Sequence, residues 1–156
     1  MPHHSRFVAD LADEAATLAV AGRLVQAMQP GLVVYLQGDL GAGKTTLVRG
    51  LLRALGYAGR VKSPTYTLLE SYSVAGREWA HFDLYRMQDA EEWDAAGFRD
   101  EFDGTKILLI EWPDKAAGYL PPADWVVTLV RMDEGRQLQL VAQSELGEIC
   151  GHALQS

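Results

Sequence analysis

The chain has 156 residues, which is enough for one well-packed domain and short for two. Its net charge of −7 argues against free-standing binding to nucleic acid, because such binding depends on neutralising phosphates. No apolar run approaches about 20 residues, the N-terminus lacks the apolar core of a signal peptide, and a single cysteine permits no intrachain disulfide. We therefore expect a single-domain cytoplasmic protein that does not enter the membrane.

The N-terminal segment predicts a short strand followed by an amphipathic helix. Residues 6–9 favour the strand, and Asp10 is the expected helix cap. Apolar residues then recur at spacings of three and four, the period of a helix with one buried face: Leu18, Ala21, Val25 and Met28. A Pro-Gly pair at 30–31 ends this helix.

Residues 38–46, Gly-Asp-Leu-Gly-Ala-Gly-Lys-Thr-Thr, match G-x-x-x-x-G-K-[ST], the phosphate-binding P-loop. An apolar strand at 32–36 precedes this loop and an amphipathic helix at 47–55 follows it, which is the order that a P-loop requires. Glycines let backbone N–H groups turn toward a phosphate, Lys44 offers a mobile charge, and Thr45 offers a hydroxyl to Mg²⁺. The predicted nucleotide-binding residues are Asp39, Leu40, Gly41, Ala42, Gly43, Lys44, Thr45 and Thr46.

A polar segment begins about 20 residues after the P-loop lysine, within the range where P-loop NTPases carry their switch segments. It consists of Ser63, Pro64, Thr65, Tyr66 and Thr67. Such segments often order around the γ-phosphate and Mg²⁺. An ordinary surface loop explains this composition equally well, so the residues alone leave both interpretations open.

Residues 68–74 and 77–84 predict two strands joined by a hairpin turn. Strand alternation places His81, Asp83 and Tyr85 on one face of the second strand. Three polar side chains there could position water, a metal or a switch loop. A half-exposed strand with a polar outer face is at least as good an explanation. Residues 89–96 then predict an acid-rich helix with Trp93 as its packing anchor.

Residues 107–110 form an apolar run between Lys106 and Glu111. This pattern is typical of a Walker B strand, buried in a parallel sheet with its carboxylate emerging at the carboxyl end. The carboxylate can bind Mg²⁺ or orient the attacking water, and the nearby P-loop favours this interpretation over a random exposed acid. Trp112 could stack on a base or pack in the core, and both alternatives stay open.

Two closing strands, at 125–130 and 137–141, surround a turn at 133–135. Arg131 and Arg136 flank this turn. Either could approach a nucleotide, but an exposed turn arginine is the default interpretation of each. Residues 143–156 carry no strong signal and are expected to form a mobile tail. The chain is thus predicted to be one α/β domain of the P-loop NTPase class, with a mostly parallel central sheet, antiparallel hairpins and flanking helices.

Four motifs in order resemble the bacterial TsaE (YjeE) family, over roughly residues 7–142. They are the P-loop at 38–46, Ser-Pro-Thr-Tyr-Thr at 63–67, His-Phe-Asp-Leu-Tyr-Arg at 81–86 and Ile-Glu-Trp-Pro at 110–113. The P-loop is shared by many NTPases, whereas the second and third motifs are far more specific. The family is the small ATPase component of the machinery that makes N6-threonylcarbamoyladenosine at position 37 of tRNA.

The resemblance implies that residues 63–67 are a switch loop and that Asp83 belongs to the active site. It implies ATP and Mg²⁺ as ligands, with Thr45 and Glu111 holding the metal and Trp112 lying beside the adenine. Lys44, Asp83 and Glu111 are then the catalytic residues, and either carboxylate could orient the attacking water. The implied partner is a complex of TsaD and TsaB, through which alone the protein would meet tRNA.

His81, Tyr85 and Arg86 are further candidates for the site, with Arg86 as a candidate arginine finger. An arginine finger contributes roughly 10³–10⁵ in rate, so without an assured one we expect slow turnover that partners stimulate. A nucleotide-gated binding module is the main alternative function. A small-molecule kinase should carry an arginine-rich lid and a GTPase an N-K-x-D motif; no such lid is evident, and the motif does not occur.

Overall fold

The computed structural model describes residues 6–39, 41–64 and 66–155. Seven strands form one sheet, and helices cover both of its faces. The elements in chain order are β1 (Arg6–Leu11), α1 (Glu14–Ala27), β2 (Val33–Gln37), α2 (Lys44–Ala54), β3 (Leu69–Val74), β4 (Arg77–Asp83), α3 (Glu91–Ala95), β5 (Lys106–Glu111), β6 (Trp125–Arg131), β7 (Arg136–Ala142) and α4 (Glu145–Gln155). Short 3₁₀ helices at Phe98–Glu101 and Pro113–Ala116 flank β5.

The strand order across the sheet is β1-β7-β6-β2-β5-β4-β3. The central strands β6, β2, β5 and β4 all run parallel to one another. The β3–β4 and β6–β7 pairs are antiparallel hairpins, and β1 pairs antiparallel with β7. This arrangement confirms the predicted α/β class with a mostly parallel central sheet and antiparallel hairpins.

Two hydrophobic cores fill the space on either side of the sheet. The larger core packs α1, α2 and α4 against one face. The smaller core, on the other face, is an aromatic cluster in which Phe82 meets Trp93 with ring centroids 4.9 Å apart. Trp93 is fully buried there, which confirms its predicted role as the packing anchor of α3. Because a core covers each face of the sheet, its central strands are apolar on both faces. Ile107 to Ile110 of β5 are accordingly all buried.

The start of α1 differs from the sequence-based expectation. The first strand continues to Leu11, so Asp10 lies within β1 rather than at a helix cap. The cap is Asp13, whose carboxylate accepts a hydrogen bond of 2.9 Å from the Ala16 N–H. Leu18, expected on the buried face, is 40% exposed. The cap was misplaced because its position depends on where the strand before it ends.

Residues 145–155 form a helix, α4, where the sequence pattern predicted no element. Ser144 starts it, because its hydroxyl accepts a 2.9 Å hydrogen bond from the Gly147 N–H. The helix is tied to the domain by two side chains: Trp125 Nε1 donates to the Gly147 carbonyl and Arg23 donates to the Leu154 carbonyl, each over 2.9 Å. Glycines at 147 and 151 weaken the helical signal, so tertiary packing decides this element. None of the helices within the described ranges combines the length and apolarity needed to cross a bilayer.

The contact between α1 and α2 generates a stability prediction. A Cβ added at Gly50 of α2 would lie 2.8 Å from the Cβ of Ala21 in α1, whereas one added at Gly22 would meet nothing within 4 Å. We expect Gly50→Ala to lower the free energy of unfolding by about 1–3 kcal/mol through overpacking. The matched control Gly22→Ala, also in a helix interior, should raise it by about 0.5–1 kcal/mol. Urea denaturation measures both, and equal effects of the two variants would contradict the packing argument.

Candidate functional site

The glycine loop lies between β2 and α2, and its backbone geometry requires glycine. Gly38 has a φ of +143°, and a Cβ there would lie 2.6 Å from the Leu129 carbonyl oxygen of β6. Gly43, with a φ of +102°, directly precedes α2 and offers no side chain to cap it. The first N–H groups of a helix lack intrahelical partners and are therefore free to bind an anion. Leu40, one of the predicted loop residues, lies outside the described residues.

Lys44 is buried at the floor of the site, at the first position of α2. Its Nζ donates to the Gly38 carbonyl oxygen over 2.6 Å and lies 3.9 Å from Glu111 Oε1. The ammonium also lies 4.2 Å from the centroid of the Trp112 ring, a cation–π contact. Burial lowers the pKa of Lys44, although the Glu111 and Asp83 carboxylates oppose this shift.

Asp83 and Glu111 end neighbouring parallel strands and are paired in the register of β4 with β5. Both are buried. Glu111 Oε2 is 2.6 Å from His81 Nε2, and Asp83 Oδ1 accepts from the Tyr85 N–H over 3.1 Å. Burial raises the pKa of the Asp83 carboxyl above its ordinary value, and the Glu111 carboxylate raises it further. The alternative of a half-exposed polar strand face is wrong for His81 and Asp83, because this face of β4 packs inside the protein.

The predicted switch segment reaches the edge of the site through Ser63 and Tyr66. The Ser63 hydroxyl donates to Asp83 Oδ2 over 3.4 Å, and Arg86 Nη2 donates to the Tyr66 hydroxyl over 3.3 Å. The Arg86 guanidinium also lies 4.5 Å from the centroid of the Tyr66 ring, yet Tyr66 is 82% exposed. Pro64 is buried and Thr67 is exposed, while Thr65 lies outside the described residues.

Trp112 covers the site at the end of β5. Its φ of +57° places it in the left-handed region, which is uncommon for a bulky residue and often marks a functional turn. Its ring contacts the Tyr85 ring, with centroids 5.0 Å apart. The indole is partly buried and packs against the smaller hydrophobic core, so core packing accounts for part of its position. Stacking on a base stays a prediction.

Together these elements enclose an open cleft of about 470 Å³. Most of the predicted site residues line it: Gly41, Gly43, Lys44, Thr45, Thr46, Ser63, Asp83, Tyr85, Arg86, Glu111 and Trp112. Six further predicted residues that the structure describes do not line it: Pro64, Tyr66 and Thr67 belong to the switch segment, and the other three lie elsewhere. Asp39 faces a second cavity of about 310 Å³ across Lys44, Ala42 is buried beneath the loop, and His81 lies behind Glu111.

Two arginines that the sequence argument assigned to an exposed turn contact the glycine loop. Arg136 Nη2 donates to the Gly41 carbonyl oxygen over 2.8 Å, and Arg131 Nη2 donates to the same oxygen over 3.3 Å. They come from the two strands of the β6–β7 hairpin. A pair of arginines around a tight turn was the available signal, but only the pairing of β6 with β2 brings that turn beside the loop.

A glycine loop between a strand and a helix, with carboxylates at the ends of the neighbouring parallel strands, defines a P-loop NTPase domain. The chain belongs to the TsaE family: the family model described as "Threonylcarbamoyl adenosine biosynthesis protein TsaE" matches residues 11–138. This confirms the resemblance drawn from the four motifs.

Individual relatives agree with the family assignment. A protein of Haemophilus influenzae named "tRNA threonylcarbamoyladenosine biosynthesis protein TsaE" is 52% identical over 120 residues, which cover 77% of this chain and 76% of that protein. A Bacillus subtilis protein of the same name is 35% identical over 127 residues, covering 81% and 79%. The crystal structure of Bacillus subtilis YdiB has a TM-score of 0.84 and 26% identity, over 99% of this chain and 97% of that one.

The two neighbouring carboxylates generate a prediction about stability. With neither nucleotide nor Mg²⁺ present, we expect Asp83→Asn to raise the free energy of unfolding at pH 7 by about 0.5–2 kcal/mol, the usual gain when a strained functional site is relieved. Because folding raises the pKa of Asp83, the ionised carboxylate destabilises the folded state. This destabilisation is fully present above the folded-state pKa and disappears as pH falls to the unfolded-state pKa. The gain should therefore vanish in acid.

Urea denaturation at several pH values measures this effect. The matched control is Asp100→Asn, an exposed carboxylate after Gly97, whose change should stay within about 0.5 kcal/mol at every pH. A loss of stability in Asp83→Asn at neutral pH would show that this carboxylate stabilises the ligand-free fold.

Proposed function

We propose that this protein is a Mg²⁺-dependent ATPase that acts with TsaD and TsaB in tRNA threonylcarbamoyladenosine biosynthesis. Family membership supports the pathway, since the named relatives are tRNA threonylcarbamoyladenosine biosynthesis proteins. One observation carries the hydrolytic activity. Lys44, Asp83 and Glu111 converge on a single cleft beside a glycine loop and the start of a helix.

The phosphates of ATP are assigned to the loop and to Lys44. The N–H groups at the start of α2 and the positive end of its dipole favour an anion at this position. The Lys44 ammonium now donates to the Gly38 carbonyl, a neutral acceptor that phosphate oxygens can replace. Its position at the cleft floor, already desolvated, strengthens a contact to the β- and γ-phosphates.

Mg²⁺ would be held by the Thr45 hydroxyl and the Glu111 carboxylate, both of which line the cleft. The donor set fits, because Mg²⁺ prefers oxygen ligands and takes only one or two carboxylates beside water and phosphate oxygens. A cation here would also offset the proximity of the buried Asp83 and Glu111 carboxylates. When bound, Mg²⁺ supplies neutralisation of charge on the transferring phosphoryl group.

Asp83 is assigned to orient the attacking water, since Glu111 is already assigned as a ligand of Mg²⁺. The Ser63 hydroxyl contacts Asp83, so a change in the switch segment alters the surroundings of this carboxylate directly. His81 keeps the Glu111 carboxylate in place through the 2.6 Å contact. Trp112 and Tyr85, which form the aromatic wall of the cleft, are the surface assigned to adenine.

The position of Tyr66 favours a second function, a nucleotide-gated binding module. Tyr66 lies on the switch segment, contacts Arg86 at the cleft and exposes 82% of its surface. An aromatic side chain joined to the site on one side and open to solvent on the other is suited to report nucleotide occupancy to a partner. In this function ATP binding controls docking, and hydrolysis resets it.

The first test measures ATP hydrolysis by the purified protein, alone and with TsaD and TsaB. We expect slow turnover alone and stimulation by the partners, because an ordered switch segment completes the site. Lys44→Ala should reduce the stimulated rate at least about 100-fold, and chelation of Mg²⁺ should reduce it to a similar extent. Equal turnover with and without the partners would contradict the partner-completed site.

The second test separates enzyme from gate with Glu111→Ala. We expect it to reduce hydrolysis at least about 100-fold because it removes the metal's carboxylate ligand. A gate would still support one round of tRNA modification with ATP bound, whereas an enzyme that needs hydrolysis in every round would support none. The matched control Glu91→Ala, an exposed carboxylate on α3, should leave both readouts unchanged.

A further inference from the structure

We propose that Arg136, the first residue of β7, is a phosphate-binding residue that the β6–β7 hairpin supplies to the nucleotide. This inference rests on the proposed nucleotide site and adds a residue that the P-loop pattern does not contain. The ligand class is the polyphosphate chain of a nucleoside triphosphate. Four observations, on position, hydrogen bonding, charge and a neighbouring arginine, carry the assignment.

The position of Arg136 is the first observation. It lines the same cleft as Gly43, Lys44 and Thr45, although it lies more than 90 residues further along the chain. A Cβ added at Gly43 would lie 3.3 Å from both Cδ and Nε of Arg136. The side chain therefore lies directly over the backbone where the glycine loop enters α2, which is the phosphate-binding part of such a loop.

The second observation is the unused hydrogen-bonding capacity of this guanidinium. Its Nη2 donates to the Gly41 carbonyl oxygen over 2.8 Å. Its Nε is buried and has no acceptor among the described residues, which also include no ion-pair partner for Arg136. A buried donor without an acceptor is costly, and phosphate oxygens match the fork of guanidinium donors better than any neutral group does.

The third observation is the balance of charge at the cleft. Among the described residues that line it, three are cationic, Lys44, Arg86 and Arg136, and two are carboxylates, Asp83 and Glu111. The cleft lining is thus net positive although the chain carries a net charge of −7. A local excess of positive charge in an acidic protein indicates an anionic ligand.

The fourth observation is the contrast with Arg131, which donates to the same carbonyl oxygen over 3.3 Å. Arg131 is exposed and borders a different cavity, beside Gly38 and Asp39, on the other side of the loop. A Cβ added at Gly41 would lie 3.0 Å from its Nη2. Arg131 therefore contacts the loop from outside the cleft. Arg136 contacts the loop as well, but it also faces the cleft where the ligand is proposed to bind.

The experiment measures dissociation constants for MgATP and for inorganic tripolyphosphate by calorimetry, with the full chain. Tripolyphosphate tests recognition of the phosphate chain without a base. We expect Arg136→Gln to weaken both ligands at least about tenfold, the loss of a charge-assisted hydrogen bond. Arg131→Gln is the matched control, because it removes a donor to the same carbonyl without facing the cleft, and it should weaken binding less than about threefold.

Binding by the wild-type protein separates failure of the Arg136 assignment from failure of the proposed function, and a second variant covers the case in which the first does not fold. The inference would be overturned if Arg136→Gln bound both ligands as tightly as the wild-type protein does, or if both glutamine variants lost the same affinity. Either result would leave the proposed function intact. A wild-type protein that binds neither ligand would overturn both. Should Arg136→Gln unfold, Arg136→Lys keeps the charge and the stem; it should still bind more weakly than Arg131→Lys, and equal binding would overturn the assignment.

Discussion

The parallel pairing of β2, β5 and β4 is the constraint on which the site depends. In this register Leu36 lies opposite Glu111, and Glu111 lies opposite Asp83, so all three strands end at the same edge of the sheet. The glycine loop leaves the end of β2 at that edge, which brings Lys44 to within 3.9 Å of Glu111. Since a slip of one residue would turn each side chain to the opposite face, the register and the chemistry are inseparable.

Burial of charge is the second theme of the site. Lys44, His81, Asp83 and Glu111 are all buried, in a region between two hydrophobic cores. Contacts among them compensate the cost in part: the ammonium and the imidazole each approach the Glu111 carboxylate. Asp83 remains in an environment that favours its neutral form. Such residual strain in the ligand-free state is typical of sites that gain stability when a ligand binds.

Two segments from opposite ends of the sheet approach this buried cluster. The switch segment, which precedes β3, contacts Asp83 through Ser63. The β6–β7 hairpin contacts the glycine loop through Arg131 and Arg136. Both contacts end on residues that line the cleft, Asp83 and Gly41, so both segments are joined directly to the site. The exposed ring of Tyr66 belongs to the first of these segments and the exposed Arg131 to the second.

The sequence by itself determined those features whose signal is local. The glycine loop, the apolar strand that ends in Glu111 and the packing of Trp93 follow from residue type and spacing, because backbone freedom and hydrophobic periodicity act over a few residues. Tertiary structure decided the rest. It moved the cap of α1 to Asp13, turned residues 145–155 into a helix and buried the polar face of β4. It also placed Arg136 at the cleft, because strand order depends on contacts between distant residues that no local pattern encodes.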